Sequence, residues 1–261
     1  MDSAEREKVE EIRSALGPLE PSEALYVSDE CIRRYLRARD GNVSQAKAML
    51  KETLRWRSSY KPEKIIWEDV AAELETGKAF RADFTDRLGR PVIIMIPRNE
   101  NSKSHEGQVK QLVYTLENAM LYLPPGQDQT VWIIDFEGFS LSKAVPLKTT
   151  KEVAHILQNH YPERLAVGVM LNAPKIFEYF WKLWKPFIDP KTYKKARFVY
   201  THDANSLKEI EDIFDLESLN LDFTKRYNHT DYAQSMRADD AKKKLLWEKA
   251  NPCHENIMDG Q

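Results

Sequence analysis

Apolar positions change their period along this chain. From the N-terminus to about residue 75 they recur every three or four places, the spacing of one helix face. Ile12 and Leu16 make one such step, after which Pro18 and Pro21 punctuate the chain. Ser28 stands where an N-cap belongs, just before DECIRRYLRARD, with Ile32, Tyr35 and Leu36 on one face. Asn42 holds the equivalent place ahead of a stripe of Ala46, Met49, Leu50, Thr53, Leu54 and Trp56 or Arg57, which Pro62 ends. The pattern predicts a small helical unit over 1–75.

Beyond residue 78 short, β-branched apolar runs take over. Ala79-Phe80 and Phe84 flank one strand, and TDRLGRP (85–91) is a turn into VIIMIP (92–97). VWIIDF (131–136), VGVMLN (167–172) and ARFVY (196–200) are further strands, separated by helical segments near 107–123, 147–160 and 174–187. Buried strands alternating with helices predict an α/β domain over 76–232, its sheet largely parallel and linked by crossover helices. The stretch MRADDAKKKLLWEKA, from about 235, reads as a charged amphipathic helix, which sets 233–261 apart as a helical tail.

Composition narrows the function classes. The 261 residues are 42% apolar and 31% charged, as in soluble globular proteins, and suffice for a core that also encloses a ligand cavity. A net charge of −2 argues against a globally basic nucleic-acid binder. Cys31 and Cys253 stand far apart, which fits a reducing cytosol rather than a disulfide framework. The opening MDSAEREKVEEIRSAL lacks a signal-peptide apolar run, and no stretch approaches the roughly 18 apolar residues of a membrane span. The expectation is a cytoplasmic protein whose contact with bilayers is transient and peripheral.

Three stretches carry a family resemblance: RRYLRARDGNVSQAKAMLKETLRWR (33–57), VWIIDFEGFSLS (131–142) and QNHYPERLAVGVMLNAPKIFEYFWKLWKPFIDPKTYKKARF (158–198). In order and separation they resemble the Sec14-like (CRAL-TRIO) phosphatidylinositol transfer proteins, over about residues 27–200. The third stretch is the most specific, with YPER, a strand, NAP, an aromatic helix and KPFIDPKT. The resemblance implies a CRAL-TRIO lipid-binding fold: a small helical bundle, then an α/β domain with an apolar pocket under a hinged gate helix. Phe177, Phe180, Trp181, Trp184 and Phe187 would line that gate, among Lys175, Lys182 and Lys185. Physical reading agrees, since such a helix can bury one aromatic face and set another in a membrane interface. An ordinary amphipathic core helix has the same pattern.

The resemblance also implies a phosphatidylinositol headgroup site. Lys195 and Thr192 take the positions that hold the phosphodiester, Glu163 of YPER supports the cation and the inositol hydroxyls, and Arg39 contributes from the R-A-R run. The plain alternative is a Glu163–Lys195 salt bridge and a solvated Arg39. Two departures stand out. Asp40 replaces a usual basic residue, and the glycine-bearing segment near the domain end gives way to SLNLDFTKRYNHTDY (218–232), which has no glycine. Thr130 could give one hydroxyl to a second-ligand pocket, but Trp132 and VIIM (92–95) replace the other polar groups expected for a choline headgroup. A sterol-like or isoprenoid second lipid stays open.

Catalytic readings find less support. GFSLS (138–142) lacks the closing glycine of a nucleophile elbow, and there is no P-loop or G-x-G-x-x-G. His155 and His160 are five apart, off a shared helix face. Asp135 and Glu137 end a strand without a nucleophile or metal cluster beside them. NVS (42–44) and NHT (228–230) fit the glycosylation pattern by coincidence in a cytosolic chain. The expectation is a non-enzymatic carrier with no cofactor beyond its bound lipid. Its expected partners are phosphatidylinositol, a possible second lipid, a transient membrane surface and a lipid kinase, with no nucleic acid. Two rivals are a carrier of a tocopherol-, retinoid- or sterol-like ligand, and a regulatory interaction module that transfers nothing.

Overall fold

The computed structural model describes residues 3–184, 190–217 and 219–250. Helices run α1 (Ser3–Leu16), α2 (Pro21–Tyr26), α3 (Asp29–Ala38), α4 (Val43–Tyr60) and α5 (Trp67–Leu74). Strands β1 (Ala79–Thr85) and β2 (Pro91–Met95) precede α6 (His105–Met120), β3 (Thr130–Asp135), α7 (Leu147–His160) and β4 (Leu165–Leu171). Then come α8 (Lys175–Trp184), α9 (Pro190–Tyr193), β5 (Ala196–Val199), α10 (Ala204–Leu207) and α11 (His229–Ala250). Among the described residues, those within 1–64, 154–163 and 237–250 form one compact unit, and those within 65–153 and 164–236 form the other.

In the helical unit the caps follow from side-chain chemistry at the predicted places. Ser28 Oγ accepts from the Cys31 N–H at 3.1 Å, and Asn42 Oδ1 accepts from the Gln45 N–H at 3.0 Å. Between them α3 is closed by left-handed residues, Asp40 at φ 50° and Gly41 at φ 78°, with the Gly41 N–H donating to Leu36 O at 2.8 Å. Aspartate tolerates that conformation, which gives Asp40 a backbone role where the family pattern led one to expect a cation. Val9, Ile12, Ile32, Tyr35, Leu50 and Leu54 build the core of this unit. Each large apolar side chain buried there contributes about 1.5–3 kcal/mol.

The α/β unit has a five-stranded sheet in the order β1-β2-β3-β4-β5. β1 pairs antiparallel with β2, and β2 through β5 pair parallel. Asp86 makes the β1–β2 turn: its Oδ1 accepts from the N–H groups of Leu88 (3.0 Å) and Arg90 (2.8 Å), and its carboxylate pairs with the Arg90 side chain. One sheet face, with Phe80, Val92, Ile94, Val131, Ile133 and Val169, packs dry against Ile210, Ile213, Phe214 and Phe223.

Two elements differ from the sequence pattern. α6 stops at Met120, just short of Pro124-Pro125. α11 starts at His229, before the predicted 235, because Asn228 Oδ1 accepts from the N–H groups of Thr230 (3.0 Å) and Asp231 (3.2 Å). The NHT triplet is therefore a helix cap. Gly77 (φ +67°) is a further fixed point: a Cβ there would lie 2.5 Å from the Tyr227 ring. That ring packs on Phe80 at 5.2 Å and Tyr232 at 5.3 Å, so it cannot retreat freely. Gly77→Ala is expected to cost about 2–3 kcal/mol through clash and left-handed strain, read as a lowered denaturation midpoint. An unchanged midpoint would mean the ring gives way.

Candidate functional site

Side chains alternate across a strand, so each residue placed on the dry face leaves its neighbour on the other. The other face carries Ile93 and Met95 of β2, Thr130, Trp132 and Ile134 of β3, Gly168 and Met170 of β4, and Ala196 and Phe198 of β5. A parallel sheet is normally covered on both faces. Here Met95, Trp132, Ile134, Ala196 and Phe198 are only half-buried, although β3 is the central strand. Gly168 keeps the floor low, since the nearest atom a Cβ would meet is Met170 Cε at 3.8 Å. The result is an apolar face, open in part, with few polar groups.

Thr130 stands at the start of this face and is fully buried. Its hydroxyl donates to Arg164 O at 3.2 Å and accepts from the Trp132 indole N–H at 3.0 Å. The hydroxyl is thus engaged within the sheet, and the indole lies along its own strand.

α8 leaves β4 through Asn172, at φ 50°, whose Oδ1 accepts from the Thr201 N–H (2.9 Å) and hydroxyl (3.1 Å). Asparagine suits that left-handed position, which accounts for the first residue of NAP. Phe177 packs on Phe136 at 4.7 Å, and both Phe177 and Trp181 reach Phe198 at 6.5 Å. Trp181 also stacks on Tyr193 at 5.7 Å. Tyr200 donates to the Glu178 carboxylate, and burial together with that carboxylate raises its phenol to about 12. Phe180 and Trp184 fall on the same helix, but their side chains, like all of Phe187, lie outside the described residues.

Thr192 and Lys195 come together in one turn: the Lys195 N–H donates to Thr192 O at 3.0 Å, and Lys195 O accepts from the Gly168 N–H at 2.8 Å. That pairing fixes both half-buried residues at the start of β5. Arg39 and Glu163 belong to the helical unit. Arg39 ends α3, its guanidinium donating to Ala38 O at 3.0 Å, and Glu163 is half-buried with φ 56° in the turn after α7.

One arrangement imitates a catalytic relay. His105 Nδ1 lies 3.0 Å from the Thr149 hydroxyl and Nε2 lies 2.7 Å from the Glu152 carboxylate. Thr149 is fully buried, so no substrate reaches it, and the trio clamps α6 to α7. Among the described residues no group of three or more His, Cys, Asp or Glu could hold a metal ion.

A family model described as CRAL/TRIO domain matches residues 74–223, and one described as CRAL/TRIO, N-terminal domain matches residues 6–52. The chain belongs to the CRAL-TRIO family. It is 36% identical over 193 residues to phosphatidylinositol transfer protein PDR17 of Saccharomyces cerevisiae, a match covering 69% of this chain and 55% of that protein. It is 37% identical over 176 residues to a CRAL-TRIO domain-containing protein of Schizosaccharomyces pombe, covering 67% of this chain but 17% of that one. The SEC14 cytosolic factor of Candida glabrata is 29% identical over 228 residues, with 80% and 75% covered. The crystal structure of Sfh5 aligns with a TM-score of 0.65 at 18% identity, over 94% of this chain and 98% of that one, and bears on the fold alone.

The CRAL-TRIO match takes in the open sheet face, α8, Glu163, Thr192 and Lys195, while Arg39 falls within the N-terminal match. Among the described residues no helix is long and apolar enough to cross a membrane. Cys31 is buried and outside any disulfide among the described residues, and Cys253 lies outside them. Tyr200, which ties α8 to the end of β5, has no signal in the residue pattern, because its partner Glu178 is 22 positions away.

Proposed function

We propose that this CRAL-TRIO chain takes one phosphatidylinositol from a membrane, shields its acyl chains on the open sheet face beneath α8, and releases it elsewhere or presents it to a lipid kinase. The observation that carries this reading is the half-buried apolar set Met95, Trp132, Ile134 and Phe198 on one face of β2, β3 and β5, strands that belong to the parallel part of the sheet. Such a face is unfavourable in water and favourable against hydrocarbon. Each acyl methylene kept from water is worth about 0.8 kcal/mol, so a lipid that scarcely leaves a bilayer unaided can leave into such a site. The family resemblance gives Lys195 and Thr192 the phosphodiester, and gives Glu163 and Arg39 further headgroup roles. Supporting the assignment, relatives 36% and 29% identical are named a phosphatidylinositol transfer protein and a SEC14 cytosolic factor. The same reading puts the protein in the cytoplasm, with transient membrane contact and no covalent chemistry, and lets α8 movement set the exchange rate. A second lipid has weaker support at the choline position, because Trp132 and Thr130 bond to each other there.

Native mass spectrometry with lipid extraction, followed by transfer between vesicles, tests the proposal. Lys195→Ala keeps the backbone bonds of the β5 turn and removes the cation, so phosphatidylinositol transfer should fall about tenfold or more while folding is kept. Full transfer by that variant would reject the headgroup assignment. A different apolar ligand would keep the carrier and overturn phosphatidylinositol. An absence of lipid and of transfer would favour the interaction module.

A further inference from the structure

The β3–α7 connection exposes what a soluble loop normally hides. Leu141 is 85% exposed, Leu147 58% and Val145 41%, all within seven residues of chain. Large apolar side chains exposed together on one short segment mark an interaction surface. The loop is also held in place. Lys103 Nζ donates to Ser142 O and Ala144 O, each at 3.0 Å, and Lys143 Nζ donates to Glu100 O at 2.7 Å. Arg98 holds its start, donating to Glu137 O at 2.7 Å and to the Asp135 carboxylate at 2.9 Å. The outward leucines are therefore presented by a braced backbone.

The charge around the loop points to the partner. α7 opens with Leu147-Lys148-Thr149-Thr150-Lys151 and has no acid in its first turn. The N-terminus of a helix dipole favours anions, so Lys148 and Lys151, both exposed, sit where the fold itself gains nothing from them. Anionic lipid headgroups would use them, while Leu141 and Leu147 enter the acyl boundary. The loop also adjoins α8: Phe139 packs on Phe136 at 5.7 Å, and Phe136 packs on Phe177 at 4.7 Å. β3 and β4 are parallel neighbours, so the loop and α8 leave from the same end of the sheet, the carboxyl ends of its strands.

We infer that the 139–151 segment is a fixed membrane-docking surface for anionic bilayers, separate from α8, with Leu141 and Leu147 as apolar anchors and Lys148 and Lys151 as headgroup contacts. The inference rests on the carrier reading for its purpose, since docking here would bring α8 against the bilayer.

The test is co-sedimentation of the full chain with phosphatidylcholine vesicles, alone or mixed with phosphatidylserine, alongside phosphatidylinositol loading from detergent micelles. Leu141→Asp/Leu147→Asp should lower partition onto mixed vesicles by about tenfold or more and leave micellar loading and the circular dichroism spectrum unchanged. Aspartate in the first turn of α7 favours the helix, which protects the fold. If the spectrum does change, Leu141→Ser/Leu147→Ser gives the same test with a smaller loss. Lys148→Glu/Lys151→Glu should remove the gain that phosphatidylserine gives. Wild-type partition by the aspartate variant would overturn the docking surface and leave the carrier intact. Absent vesicle binding by the unmodified chain would overturn it too, as would leucine-dependent self-association with unaltered vesicle binding, which would make the patch a contact between copies. Leucine-dependent vesicle binding without phosphatidylinositol loading would uphold the surface and sink the carrier reading.

Discussion

Lys78→Met should destabilise the α/β unit by about 3–5 kcal/mol, the usual penalty for stranding a buried charge, and lower its melting midpoint by roughly 10 °C. Lys78 is 5% exposed and lies between Glu73 (9%) and Glu100 (8%), both of which accept from its ammonium. It stands just before β1 and accepts from the Ile96 N–H at 2.8 Å through its own carbonyl. One side chain thus joins α5, the start of the sheet and the loop after β2. Burying three charged groups is costly, and the arrangement holds because each has its counterpart. The two carboxylates are not equally dependent on it. Glu100 Oε1 also accepts from the N–H groups of Asn101 (3.0 Å) and Ser102 (2.9 Å). Glu73 sits against Gly107, where a Cβ would come within 2.1 Å of its Oε1. Lys78→Met/Glu73→Leu should therefore recover most of the loss, since the charge left behind retains backbone donors. Urea denaturation of the three proteins measures this, and a double variant no better than the single would show that Glu100, not Glu73, is the stranded group. Because Glu100 O also receives Lys143, the single variant should loosen the 139–147 loop as well, visible as faster amide exchange there.

Much of the fold was legible in the sequence because the deciding chemistry is short-range. Ser28 and Asn42 act on N–H groups three residues ahead, and the Asp86 turn closes within five residues. The strands were legible because a sheet buried on one face and lined with apolar groups on the other needs β-branched runs. A period of hydrophobicity does not show which contacts cross the unit. The Lys78 cluster spans 22 positions in its longer arm, and the partners Thr53 and His160 are 107 apart. Asp40 shows the limit from the other side. The family pattern marked it as a missing cation, while its left-handed backbone makes it a helix terminator. In the candidate site the types of Thr192 and Lys195 could be matched by position, but the half-open sheet face could not. Exposure of Trp132 and Ile134 depends on what lies opposite, and a strand reading VWIID looks the same whether its face is packed or open.

Acidification should weaken the helical unit by about 3 kcal/mol between pH 6.5 and pH 4, through His160. The ring is 3% exposed, stacks on Trp56 at 4.5 Å with planes 8° apart, and has Nδ1 3.2 Å from the Thr53 hydroxyl. Burial is the main cause that holds its pKa down to about 4. The nearby His155 and Arg57 push the same way, and Glu52 opposes them. The sign follows from proton counts. An unfolded chain binds the proton below about 6.5 and the folded one only below about 4, so the unfolded state binds more protons between those limits. The His160 contribution is then full above pH 6.5, is lost as pH drops through the window, and is gone below it. Denaturation of the wild type and His160→Gln at pH 7.5 and 4.5 should show a steep pH slope in the first and a shallow one in the second. Equal slopes would rule out His160 as the responsible group. His160 and Tyr161, which meets Trp56 edge-on at 5.9 Å, directly precede the left-handed turn at Glu163, so loosening there reaches that turn. If Glu163 supports the headgroup, phosphatidylinositol retention should decline over the same pH window, and should do so less in His160→Gln.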